Sequence, residues 1–191
     1  MTYKLMIAGL CATGLAAGAW AHSGAMGVVM ERMDTMKAMG DAVKRIKPMM
    51  SGEAVYDAAA VQAAAHVIAE EAGAAMTGKF PEGSGGGVSE ALPAVWSDRA
   101  RFAALARDLE VTARGLEHAA QNGTHGAGHM SGDLSGMMGG TSGMMGGGMM
   151  GTDHMSGAMS VEHIGQMPAD GAFVMMTQVC SACHDRFREE K

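Results

Sequence analysis

Pro168-Ala169-Asp170-Gly171-Ala172-Phe173-Val174-Met175-Met176-Thr177-Gln178-Val179-Cys180-Ser181-Ala182-Cys183-His184-Asp185-Arg186-Phe187 is the stretch that decides the fold. It opens on a proline, a favourable first-turn residue. Phe173, Met176, Val179, Cys183 and Phe187 then recur at three- and four-residue intervals, the pattern of an amphipathic helix. Inside it, Cys180-Ser181-Ala182-Cys183-His184 has the form C-x-x-C-H. Residues three apart share a helical face, so both sulfurs meet one edge of a porphyrin while the next residue turns its imidazole toward the metal. This is the attachment pattern of a c-type haem, with Cys180 and Cys183 on the vinyl groups and His184 on the iron. The other readings of the pair are a structural disulfide, a thioredoxin-like redox pair and half of a zinc site. A thioredoxin motif follows a strand in an α/β pattern absent here, and zinc wants a second pair, which the chain after residue 21 lacks.

Outward from this helix, three more are expected. Val29, Met33, Met36, Val43 and Ile46, with Met26 before them, form one apolar face of a helix over 26–47 that Pro48 ends. A second, alanine-rich helix is expected over 54–76, with Val55, Val61, Ala65, Ile68 and Ala72 apolar and Glu70 and Glu71 outside. Residues 78–93, with Pro81, Gly83, Gly85-Gly86-Gly87 and Pro93, read as a long loop. Ser97 is expected to cap a third helix carrying Phe102, Leu105, Leu109, Thr112 and Leu116 and ending near Asn122-Gly123. Four amphipathic helices without alternating strand patterns predict an all-α protein, an antiparallel four-helix bundle.

Residues 1–21 combine Lys4, an apolar run from Leu5 to Ala17 and Ala19-Trp20-Ala21 in small-x-small form, which is a secretory signal and places the product in the periplasm. No later segment offers the roughly 18 consecutive apolar residues of a membrane span. Without residues 1–21 the chain has 13 basic and 20 acidic side chains, a formal charge of −7 that argues against nucleic acid as a partner. Helices 1–3 then occupy 22–120 and helix 4 occupies 161–191. Between them, 121–160 holds 13 Gly, 9 Met and 3 His with no Lys or Arg, and its Gly-Met-Met-Gly units repeat. So many glycines make ordering entropically expensive, and a disordered insertion is expected. Its thioethers, with His125, His129 and His154, suit copper, as does His22 at a cleaved N-terminus; glycine-rich repeats also expand without function.

A C-x-x-C-H in the last of four helices resembles the cytochrome c′ and cytochrome c-556 family of class II c-type cytochromes. Val95-Trp96-Ser97-Asp98-Arg99-Ala100-Arg101-Phe102 is similar to the family's I-W-x-x-x-x-x-F helix start. Lys79-Phe80-Pro81 is similar to its F-P, and Cys183-His184-Asp185-Arg186-Phe187-Arg188 to its C-H-x-x-F/Y-R/K ending. The likeness covers about 26–120 and 161–191, and 121–160 departs from it. It implies one covalent haem c with His184 as proximal ligand. In c-556-like proteins a Met-Lys pair on the first helix resembles Met36-Lys37, which implies Met36 as the distal ligand. On its position alone Met36 reads as a core residue of an apolar helical stripe, with Met33 and Met39 one turn away. Arg32 is either a propionate contact or a solvated surface group.

The expected function is electron transfer among periplasmic redox proteins through a six-coordinate His/Met haem, which favours ferrous iron and raises the potential. Two alternatives stay open: a five-coordinate cytochrome c′ that binds nitric oxide or carbon monoxide, and a haem domain serving a copper-binding insertion. No spacing of nucleophile and base points to an enzyme. The resemblance further implies pairing of two copies through the first two helices.

Overall fold

The computed structural model describes residues 27–126 and 160–190. The signal segment, His22, Met26 and most of the glycine- and methionine-rich stretch, including His129 and His154, lie outside these residues.

Helix α1 spans Val28–Met50. Pro48 does not end it, contrary to the sequence expectation. It sits in the last turn, where only one backward amide bond is forgone, and the helix runs on until the Ser51 N–H donates to the Lys47 carbonyl at 3.0 Å. The apolar face read from the sequence also needs correcting. Arg32, Thr35, Met39, Ala42 and Ile46 are the buried residues of α1, while Met33 is 45% exposed and Met36 and Val43 are half-buried. The helix has two working faces: one packs on protein, and the other, Val29, Met33, Met36 and Val43, lines a cavity.

The expected second helix is two. Residues 54–57 are not helical and Val55 is 91% exposed; α2 spans Ala58–Glu71, with Asp57 as N-cap accepting from the Ala59 and Ala60 amides at 2.9 and 3.1 Å. The chain breaks at Ala72 and restarts as α3, Gly73–Gly78. Gly73 has φ +55°, and a side chain there would meet the Glu110 carboxylate, so the break is built on glycine.

Ser97 closes a short turn, α4 (Ala94–Ser97), instead of capping the third helix. That helix, α5 (Arg99–Ala119), starts at Asp98, whose carboxylate turns away from the helix amides to accept from Arg186 Nε at 2.9 Å. Phe102, Leu105, Leu109, Thr112 and Leu116 are all buried as expected, and a 3₁₀ turn, Ala120–Asn122, follows. Helix α6 (Val161–Gly165) precedes α7 (Ala169–Phe187), which starts directly after Pro168.

Helices α1, α2, α5 and α7 are the four members of the bundle. Helix α5 is its centre, packing on α2, α3, α6 and α7, while α1 packs on α2 and meets α7 only marginally. Ile46, Val61, Ile68, Leu116, Ile164 and Met176 are fully buried, each contributing about 1.5–3 kcal/mol. Among the described residues there is no strand, and no helix is long and apolar enough to cross a membrane.

Residues 79–93 form a strap from the end of α3 to α4. Trp96 Nε1 donates to the Pro81 carbonyl at 2.8 Å, and Arg99 donates to the Phe80 and Thr77 carbonyls at 3.0 and 2.8 Å. The far end of the strap is tied to the chain after α7. The Leu92 amide donates to Phe187 O at 2.9 Å, the Glu189 amide to Glu90 O at 2.8 Å, and Arg188 pairs with Glu90.

Candidate haem site

Where α1 and α7 diverge, a cavity of about 630 Å³ opens. Cys180, Cys183 and His184 line it from α7, and Val29, Met33, Met36, Gly40 and Val43 line it from α1. Its floor is aromatic: Phe80 meets Phe102 edge-on at 4.9 Å, and Phe102 meets Phe187 at 5.3 Å, contacts worth about 0.5–1.5 kcal/mol each beyond burial. Val88, Ser89, Glu90 and Ala91 of the strap close one side.

Cys180 and Cys183 are free thiols, not joined to each other. Burial pushes Cys180 up, and burial together with the neighbouring Cys180 pushes Cys183 up to about 11. Both are therefore protonated at neutral pH, unlike the reactive thiolate of a thioredoxin-type pair. Burial, aided by the Arg188 charge, holds the His184 imidazole below its ordinary value against the opposing pull of Asp185 and Glu90. A neutral imidazole keeps the lone pair that a metal needs.

The donors and the space fit a haem. Two thiols three residues apart and an adjacent imidazole share one wall, the walls are largely apolar, and the volume lies within the roughly 300–1,000 Å³ of cofactor pockets.

Arg32 lies at the α1 wall but is not a surface group. It is buried, stacks 4.3 Å from the Phe80 ring centroid, and donates to the Lys79 carbonyl, the Ser84 carbonyl at 2.9 Å and the Ser84 hydroxyl. Beneath it, Lys79 Nζ donates to Thr35 at 2.7 Å and to Glu71 at 2.6 Å. The copper expectation falls mostly outside the described residues. His125, which is inside them, pairs with Asp170 at 2.8 Å, and among the described residues no three His, Cys, Asp or Glu converge on a metal position.

The sequence reading missed the strap wall, Val88–Ala91, because ties to the far end of the chain, the Glu189 amide to Glu90 O and the Arg188 guanidinium to the Glu90 carboxylate, leave no local pattern. It also passed over Gly40. Phe80 and Phe102 stand in the sequence motifs, and the structure makes both of them cavity walls.

A helical bundle whose last helix presents two thiols and an imidazole to an apolar cavity defines a c-type cytochrome of the bundle class. Residues 27–139 match the family described as cytochrome c′, and the chain belongs to it. Among curated relatives, cytochrome c′ of Rhodopseudomonas palustris is 38% identical over 87 residues, covering 45% of this chain and 59% of its own. Cytochrome c-556 of Agrobacterium fabrum is 38% identical over 89 residues, 47% of this chain and 60% of its own. The chain thus spans about three fifths of the length of the curated relatives it matches. In fold, it is similar to cytochrome c′ from Thermochromatium tepidum, with a TM-score of 0.57 at 22% identity over 85% of this chain and 95% of that one. The nitric oxide complex of a cytochrome c prime variant from Alcaligenes xylosoxidans gives a TM-score of 0.55 at 23% identity, over 85% and 94%.

Proposed function

We propose that this chain is an exported monohaem cytochrome c′ whose iron, held by His184 on one side, keeps its other side open to nitric oxide or carbon monoxide. Cys180 and Cys183 carry the haem. The observation behind this reading is the character of the α1 wall: Val29, Met33, Met36 and Val43 present no hydrogen-bonding group, Arg32 is tied to the strap, and Lys37 and Lys44, which also line the cavity, are exposed and pair with Asp41. An apolar wall disfavours water and anions at the iron and admits small neutral ligands. The match to cytochrome c′ and the nitric oxide complex of a solved relative support it. Haem supplies an iron that changes oxidation state and accepts small ligands. The protein's part is to fix the ring through two thiols, offer a neutral imidazole and keep water out.

A second reading has its own support, since the Met36 thioether lines the cavity and one relative is a cytochrome c-556. There Met36 ligates the iron opposite His184, and the protein is an electron carrier for periplasmic redox partners.

Visible spectra of the purified haem protein, with and without carbon monoxide, on wild type and Met36→Ala decide between them. The five-coordinate reading expects a high-spin wild type that responds at once to carbon monoxide, with Met36→Ala speeding the response. A low-spin wild type that ignores carbon monoxide, and becomes high-spin in Met36→Ala, overturns it in favour of the electron carrier.

A further inference from the structure

Gly40 lies well inside α1, where glycine is the least favourable helix former after proline. Nothing among the described residues requires it. Its backbone is ordinary helix, and a Cβ added there would meet no atom within 4 Å. Gly115 is the contrast: a Cβ there would lie 2.5 Å from Ile164, so close helix packing explains that glycine. Gly40 is half-buried, yet the space before it is open and belongs to the cavity shared with Met36, Cys180, Cys183 and His184.

We infer that Gly40 is a positioning residue for the haem: its missing side chain lets the rim of the ring lie against the α1 backbone. Four residues separate it from Met36, about 6 Å along the helix axis on nearly the same face. A haem held by Cys180, Cys183 and His184 would share its cavity with both Met36 and Gly40. A side chain at 40 then tilts the ring or pushes α1 outward, changing the distal gap that Met36 bounds. This rests on the proposed haem site and adds the residue that sets how closely the ring approaches α1.

The test uses the haem-loaded full chain as wild type, Gly40→Ala, Gly40→Leu and Ala38→Leu, the last a control at an exposed position of α1 outside the cavity lining. Far-UV circular dichroism, thermal midpoint and the ferric visible spectrum are recorded for each. Helix propensity alone makes both Gly40 variants more stable. The inference expects the opposite: Gly40→Leu keeps its helical signal but loses about 5 °C or more and changes its visible spectrum, Gly40→Ala moves the same way by less, and Ala38→Leu changes neither. Should Gly40→Leu fail to fold, Gly40→Ala decides by the sign of its midpoint shift. Raised midpoints with unchanged spectra in the Gly40 variants sink this inference and leave the haem site standing. A wild type without covalent haem overturns both.

Discussion

Arg32 spends its guanidinium on the fold. Three donated bonds join α1 to the strap at Lys79 and Ser84, and the flat face covers Phe80. Arg32→Met is expected to cost about 2 kcal/mol in urea denaturation, because it leaves partners of a charged donor unpaired. An unchanged midpoint would place the strap's anchoring elsewhere. Glu71 contributes a pH dependence. Hydrogen bonds from Lys79 and then Thr35 hold its carboxyl below the ordinary value, outweighing burial. A depressed carboxyl stabilises the fold above its unfolded pKa, and that contribution is lost as pH falls through the folded one. Wild type should therefore exceed Glu71→Gln in thermal midpoint at pH 7 by a margin that closes below about pH 4. A margin constant from pH 7 to 3 contradicts this. At this scale the sequence was partly legible. C-x-x-C-H named three cavity residues outright because covalent and ligand chemistry impose spacing. Arg32 could not be read as buried, since most of its partners are backbone carbonyls, which have no residue signature.

The elements were legible where one face does one job. The stripe of α5 is entirely buried, so a simple period identified it. Helix α1 defeated the same reasoning because the face it buries on protein includes Arg32 and Thr35, while the conspicuous apolar stripe of Val29, Met33, Met36 and Val43 belongs to the cavity. The division of the second helix was hidden too, since Gly73 in an alanine-rich run looks like a tolerated helix glycine until its φ of +55° is known. Gly73→Ala should cost about 1–2 kcal/mol through the left-handed backbone alone. Gly115→Ala, forced against Ile164, should cost about 1–3 kcal/mol by separating α5 from α6. Guanidinium denaturation checks both, and either variant proving as stable as wild type would refute its account.

At the scale of the molecule, the cavity takes its walls from the first and last long helices, so it exists only once the whole bundle has closed. The described residues on either side of 127–159 meet at one place. Asn122 Nδ2 donates to the Gly165 and Met167 carbonyls at 2.8 and 2.7 Å, the Ala169 amide donates to Gly123 O at 2.7 Å, and His125 pairs with Asp170. The expected insertion of 121–160 therefore has its first six residues in the described structure, four of them past the 3₁₀ turn. Loop-closure entropy changes by only about 0.6 kcal/mol per doubling of length. Replacing 127–159 by a short Gly-Ser linker should thus leave far-UV circular dichroism unchanged and stability within about 1 kcal/mol; loss of helical signal would count against the staple. The same staple makes this corner a splice port. Descendants of this sequence can lengthen, shrink or exchange what lies beyond it with little selective consequence for the bundle. A foreign peptide or reporter grafted there would ride on a host whose proposed haem shifts its visible spectrum when the bundle opens.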